Sequence, residues 1–263
     1  MTDLAKLPAV DPDTPNAARM YDYHLGGSHN FAADRAAGDR AREAMPWIRE
    51  AVRANRSFLG RAVRYCQSQG IDQFLDLGSG IPTVGNVHEV AQATDPTARV
   101  SYVDNELVTV TSSAAMLADD PLSTITAADM RDPESVFAAP GVRDHLDLSR
   151  PVALLTVAVL HFLHDEDELS RLVVDYRSRL VPGSVHVLSH VTADFDPSTA
   201  SAATGVYQQT ANPILPRPVS RIAELLHGTE LVEPGLVDAS RWRPDGAAGP
   251  EHVGFVAGVG ILR

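Results

Sequence analysis

Apolar residues in this chain follow two alternating rhythms. From Phe74 onward, short apolar runs bounded by Gly, Pro or acidic residues recur, and helical stretches with one apolar stripe lie between them. Phe74 to Leu77, Arg99 to Asp104, Ser123 to Ala127, Val152 to Leu160 and Val185 to Ser189 read as strands. The fourth is apolar almost throughout, as a parallel strand covered on both faces requires. Thr83 to Ala93 reads as a helix. So does the segment opened by Asp165-Glu166-Asp167-Glu168, whose acids suit the positive end of a helix dipole. Leu169, Leu172, Val173, Tyr176 and Leu180 give it a stripe, and Pro182-Gly183 ends it. Asp132 to His145 predicts a short helix plus loop. Asp196 to Pro218, with four prolines, predicts a loop or insertion. Arg221 to Leu226 reads as a helix, and Leu231 to Asp238 and Val253 to Leu262 read as the last two strands.

Ahead of Phe74 the pattern is helical. Met1 to Asp13 has two prolines and no period, so a flexible tail is expected over 1–13. Thr14-Pro15 reads as an N-cap followed by proline at the first helical position. The helix it opens runs through His24 and stops at Gly26-Gly27. Phe31 to Ala44 and Pro46 to Gln69 follow. The last carries Ile48, Val52, Phe58, Leu59, Ala62, Val63 and Cys66 on one face. Residues 14–70 are thus expected to form an N-terminal helical cap, and 71–263 the main domain. Alternating strands and helices predict an α/β fold with a seven-stranded, mostly parallel sheet.

Chemistry concentrates at the expected strand ends. Asp76-Leu77-Gly78-Ser79-Gly80 places a carboxylate and a Gly-x-Gly turn between a strand and a helix, where a doubly wound sheet presents a nucleotide-like ligand. An NAD site usually keeps an apolar residue at the place of Asp76. A carboxylate there accepts from an ammonium group or orients the turn, which favours S-adenosylmethionine over a dinucleotide. Asp104 ends the second strand, beside Asn105, where an acid takes both ribose hydroxyls. Asp129 follows the third strand and can accept from an adenine amino group, with Met130 against the ring. The alternative for each acid is a solvated loop residue or a helix N-cap.

The net charge of −12 argues against a nucleic-acid surface. The arginines between Arg35 and Arg64 read as a solvated helix face. One cysteine, Cys66, allows no intrachain disulfide and no cysteine-based metal site. No apolar run is long enough to span a membrane, and Met1 to Val10 lacks a signal-peptide core, so a cytoplasmic protein is expected.

Several blocks together carry a family resemblance. They include Ala18 to Gly27, Asn30 to Arg35, Phe74 to Gly80, Tyr102 to Asn105, Ala127 to Pro133, Val159 to Leu163, Pro182 to Ser184 and Arg241-Trp242-Arg243-Pro244. Over nearly its whole length the chain resembles a family of Rossmann-like, class I S-adenosylmethionine-dependent methyltransferases long described only as a domain of unknown function. The Tyr-Asp-Tyr…Gly-Gly block is specific to it. The resemblance implies the cofactor, not the substrate, and an antiparallel last strand. It also brings Tyr21, Gly26 and Gly27 toward the ligand. Pro82 replaces the third glycine of many methyltransferases. Glu106-Leu107-Val108 stands where the family is expected to continue with a proline and a basic helix.

Methyl transfer asks the protein mainly to align an acceptor with an activated donor and to exclude water. If the acceptor must lose a proton, His161, just past the fourth strand, and Tyr23 or His24 are the candidate catalytic groups. For His161 the alternative is a packed histidine bonded to backbone. His164 and Asp165 read as a helix start, and no metal site is expected. The reading is a methyltransferase for a small-molecule acceptor. The alternatives are an S-adenosylmethionine-binding sensor without turnover and an NAD-dependent oxidoreductase.

Overall fold

The computed structural model describes residues 9–83, 85–194, 197–247 and 254–263. Residues 1–8 of the expected tail, Val84 in the expected helix, Asp196 at the start of the expected insertion, and Val253 of the expected last strand lie outside them.

Three helices come first: α1 (Ala17–Leu25), α2 (Ala32–Ala44) and α3 (Ile48–Ser68). Strand β1 (Gln73–Leu77) follows, then α4 (Val87–Thr94), β2 (Arg99–Asp104), α5 (Leu107–Met116) and β3 (Ser123–Ala127). Two short helices, α6 (Pro133–Ala138) and α7 (Pro140–Arg143), lead to β4 (Ala153–Val157), a 3-10 turn (Leu160–Phe162), α8 (Glu166–Ser178) and β5 (Val185–Val191). The chain ends with α9 (Pro197–Tyr207), α10 (Val219–Glu224), β6 (Thr229–Leu231), β7 (Val237–Asp238) and β8 (Phe255–Leu262). The sheet order is β3-β2-β1-β4-β5-β8-β6, with β7 also on β8. β1 to β5 pair in parallel, and β8 is antiparallel to β5, β6 and β7.

The sheet has eight strands rather than seven. The expected strand from Leu231 to Asp238 is two short strands, because Pro234-Gly235 interrupts it, and a proline has no N–H for a ladder. The expected loop after Asp196 holds a helix instead. Its prolines sit at the first turn and beyond the last, so they frame α9 without breaking it. The first helix starts two residues later than expected. Asn16, not Thr14, caps it, its Oδ1 accepting from Ala18 N at 2.9 Å.

The chain winds from β1 through β2 to β3 on one side and resumes at β4 on the other. That reversal opens a crevice at the carboxyl ends of β1 and β4. Successive strand residues face opposite layers. Phe74, Val100, Leu155 and Val187 pack under α3, against Phe58, Ala62 and Val63. Leu75, Leu77, Leu154 and Leu188 face α6, α8 and α10, against Val136, Leu169 and Ile222. Asp76 alternates onto the α3 side. A third, smaller cluster (Met20, Ala37, Ala41, Ile48, Val52) joins α1 and α2 to the start of α3. Trp242 of the Arg-Trp-Arg-Pro block is fully buried against Phe58, and Arg61 of α3 donates to its carbonyl at 2.8 Å. No described helix is long and apolar enough to cross a membrane.

Candidate functional site

β1 is buried along its whole length and ends at Leu77. The chain then turns through Gly78 (φ +64°) and Gly80 (φ +66°), conformations that side chains resist. The two glycines differ in surroundings. A Cβ on Gly78 would overlap Val159, whereas a Cβ on Gly80 would meet nothing and would project into open space. Gly80 N donates to Asp104 Oδ2 at 2.9 Å, and Glu106 N donates to Oδ1 at 2.9 Å. Asp104 therefore holds the turn in shape while keeping lone pairs for a ligand. Burial pushes its pKa up to about 6, against the two backbone N–H groups that favour its charge.

Asp76 is more isolated. Among the described residues no donor reaches its carboxylate within hydrogen-bond distance. Burial pushes its pKa up to about 7, Arg56 works against that, and Asp104 adds to it. Both carboxylates line a cavity of about 440 Å³ at the strand ends, with Gly78, Ser79 and Gly80. Asn105, Asp129, Met130 and Tyr21 line it as well. The Ser79 hydroxyl is buried there without a partner. Asp129 is already engaged: Arg131 donates to it through its backbone at 2.9 Å and through its guanidinium. Burial works to raise the Asp129 pKa, but these bonds and the charge of Arg131 hold it below the usual value. The Met130 carbonyl accepts from Tyr176.

His161 also lines the cavity. It is 4 % exposed, and its Nδ1 has no partner. Burial drives its pKa well down, helped by His190 and Arg217, so the imidazole is neutral near pH 7. Its ring packs against Phe162 and His190, with centroids 4.4 and 5.5 Å apart. The rest of the cavity wall is largely apolar and aromatic, including Trp47, Phe162, Tyr207, Ile214 and Phe255. Asp165 caps α8 through Glu168 N at 2.8 Å, and His164, which does not line the cavity, meets the carbonyl of the wall residue Pro213 at 3.1 Å.

The Tyr-Asp-Tyr…Gly-Gly block divides. Tyr21 faces the cavity, and its hydroxyl donates to Val52 O at 3.2 Å and accepts from Asn55 at 3.0 Å. Tyr23, His24, Gly26 and Gly27 are not brought to the cavity wall. Two residues along a helix turn a side chain through about 200°, so Tyr23 points to α2, bonding Asp39 at 2.9 Å. His24 is 1 % exposed, and neither ring nitrogen has a partner. Burial, then Arg49 and Arg42, push its pKa down to about 4. Gly26 is the left-handed cap of α1 (φ +89°). Gly27 lies tight against the Asp22 carboxylate and Thr83. Asp22 accepts from His29 N (2.9 Å), Asn30 (2.8 Å) and Thr83 (3.3 Å). This half of the block thus fastens α1 to the loop after Gly80.

Sequence reasoning missed Asn55, Arg56 and Ala158. Asn55 links Tyr21 to Ser189 Oγ (2.6 Å), which in turn accepts from Ala158 N (3.0 Å). Ala158 has φ +56°, a strained value for a non-glycine residue, and it lines the cavity just past β4. Among the described residues no group of three or more His, Cys, Asp or Glu side chains is arranged to hold a metal.

Residues 4–263 match a family model described as S-adenosyl methyltransferase. A Thermobifida fusca protein, solved as a candidate methyltransferase, is 40 % identical with a TM-score of 0.90, over 95 % of this chain and 96 % of its own. A DUF574 family protein from Streptomyces avermitilis is 38 % identical with a TM-score of 0.92, over 97 % of this chain and 100 % of its own. Human N-acetylserotonin methyltransferase, in complex with S-adenosylmethionine, is 15 % identical with a TM-score of 0.50, over 92 % of this chain and 62 % of its own; it shows shared fold alone. No curated protein matches the chain.

Proposed function

Because the chain belongs to the S-adenosyl methyltransferase family, we propose that the strand-end cavity holds its S-adenosylmethionine and that the methyl group passes to a small molecule. The family sets aside the NAD-dependent oxidoreductase reading. When bound, the cofactor supplies an already activated sulfonium methyl.

The chain's own residues fit that ligand. Asp104 keeps free lone pairs beside the Gly80 turn for the ribose hydroxyls, and Asp76 faces the cavity without a donor, suited to the ammonium. Met130 flanks the adenine. Asp129 takes the adenine amino group once its pair with half-exposed Arg131 loosens. His161 offers a neutral ring nitrogen to the acceptor's proton, which becomes far more acidic as the methyl group is transferred. The helices over 14–70 act as a cap that closes the site against water.

The observation that carries the small-molecule reading is the shape and lining of one cavity. About 440 Å³ joins the acids and glycines of the strand ends to an apolar, aromatic half. Concave sites of that kind bury small ligands. The chain's net charge of −12 is unsuited to nucleic acid. The test is S-adenosylhomocysteine formation from purified protein, S-adenosylmethionine and a size-fractionated cell extract. Product is expected with the dialysable fraction. Product only with the protein or nucleic-acid fraction would overturn the acceptor class. No product with any fraction would favour a sensor without turnover.

A further inference from the structure

We propose that Arg56, with Ser79, binds the carboxylate at the amino-acid end of the cofactor, and that Asp76 takes the neighbouring ammonium. This rests on the cofactor reading above. Two arginines line the cavity, Arg56 and Arg131. Arg131 is committed to Asp129. Arg56 pairs with no acid among the described residues, and its Nε is buried without an acceptor. Its guanidinium lies over the Tyr21 ring, 5.7 Å from the centroid, which restricts where it can point.

The placement follows from the fold. Asp76 shares the α3-facing side of β1 with Phe74, and α3 is the helix that carries Arg56. The influence of Arg56 on Asp76 titration is consistent with that closeness. Ser79 sits in the turn that starts directly after β1, and its hydroxyl is buried and unpartnered. An anion, a cation and a free hydroxyl thus line the same cavity, two of them with unsatisfied polar atoms. A zwitterionic amino acid has its ammonium and carboxylate on one carbon, so an acid beside a guanidinium recognises both. The guanidinium fork matches a carboxylate in shape.

Charge supports the same assignment. The cofactor carries a sulfonium, an ammonium and a single carboxylate. The β-strand side of the cavity supplies Asp76, Asp104 and Glu106, which suit the cations and repel the carboxylate. A buried carboxylate needs a cationic partner, and Arg56 is the cavity arginine still available. The N-terminal helices therefore contribute half of the amino-acid subsite.

The test titrates the full chain and its Arg56→Met variant with S-adenosylhomocysteine and with 5′-methylthioadenosine, which lacks the amino-acid end. The variant should bind S-adenosylhomocysteine roughly ten- to a hundredfold more weakly and 5′-methylthioadenosine unchanged. Arg56→Lys should fall between. Unchanged S-adenosylhomocysteine affinity would overturn the proposal, and so would an equal loss for both ligands, which marks a distorted cavity. If Arg56→Met does not fold, Ser79→Ala provides the same contrast with a smaller expected loss. Wild-type protein that binds neither ligand would contradict the cofactor reading itself.

Discussion

Gly78 and Gly80 share one backbone conformation and face different neighbours. Alanine at either position costs about 1–2 kcal/mol of left-handed strain. Gly78→Ala adds overlap with Val159, so its melting temperature should fall more than that of Gly80→Ala. Gly80→Ala, with open cavity ahead of its Cβ, should instead lose S-adenosylhomocysteine affinity. Thermal melts with and without ligand separate the two effects. Equal melting temperatures and equal ligand responses would contradict the division. At Asp104, alanine removes an acceptor for two charge-assisted hydrogen bonds and loosens the Gly80 turn. Calorimetry should show at least about a tenfold loss, near 1.4 kcal/mol. Wild-type affinity would refute the ribose assignment.

Asp76 and Asp104 also set a pH dependence. Their pKa values of about 7 and about 6 lie above the ordinary 3.8. Between those values the folded chain keeps protons that the unfolded chain has lost. Their contribution to stability is therefore full below 3.8, falls as the pH rises, and is lost above about 7. Asp76→Asn removes the wider of the two slopes. The variant should gain on the wild type in melting temperature from about pH 4 to about pH 7. A constant difference across that range would contradict a raised Asp76. Ligand affinity should run the other way, strengthening toward pH 7 as Asp76 ionises to meet an ammonium.

Residues that depend on local order were legible in the sequence. Asp76 and Asp104 lie at the ends of β1 and β2, and Gly78, Ser79, Gly80 and Met130 lie in the turns after β1 and β3; strand ends in this topology converge, so their meeting at one cavity could be read from the sequence. Arg56 and Asn55 were not legible. In sequence Arg56 is one of a run of helical arginines with the look of a solvated face. Only the packing of α3 across β1 reveals that this arginine turns inward.

At the scale of elements, α1 and α2 are tied by buried charge. Arg19 Nε bonds Asp34 at 2.8 Å, with side chains 3 % and 0 % exposed, and Arg19 also reaches Glu106 at 3.2 Å. Asp34 further accepts from Asn16 N and Phe31 N, at the starts of both helices. Glu106 caps α5 through Thr109 N at 2.6 Å and follows Asp104 by two residues. Asp34→Ala removes the fully buried partner of Arg19 and leaves the Asn16 and Phe31 N–H groups without their acceptor. Breaking a buried pair costs about 3–5 kcal/mol; Glu106 remains as a partner, so about 3 kcal/mol is expected by denaturant unfolding. A loss below about 1 kcal/mol, the size of a surface pair, would contradict a structural bond. The existence of α1 was legible from Gly26-Gly27 and the residues before it. Its direction across the α5 start was not, because that depends on a charge pair spanning 87 residues. Composition likewise obscured α9. Prolines crowd its flanks, and a count over the whole segment hides the Ala, Ser and Thr residues between them.

Across the whole molecule, the sheet sets one acid-rich edge against a helical layer that brings a cation and aromatic rings to it. A ligand in the cavity would touch β1, β2 and β4 on one side and α1 and α3 on the other, so binding should stabilise both together. The alternation of apolar runs was enough to place that edge, and the reversed last strand came with the family resemblance. Which helical residues reach the edge is a property of the assembled layers. The most direct measurement is a crystal structure of the chain with S-adenosylhomocysteine. The expected density has the ribose hydroxyls on Asp104, the adenine beside Met130, the amino-acid end between Asp76 and Arg56, and the sulfur facing the half of the cavity that holds His161. Ribose away from Asp104, or ligand bound outside this cavity, would contradict the assigned site.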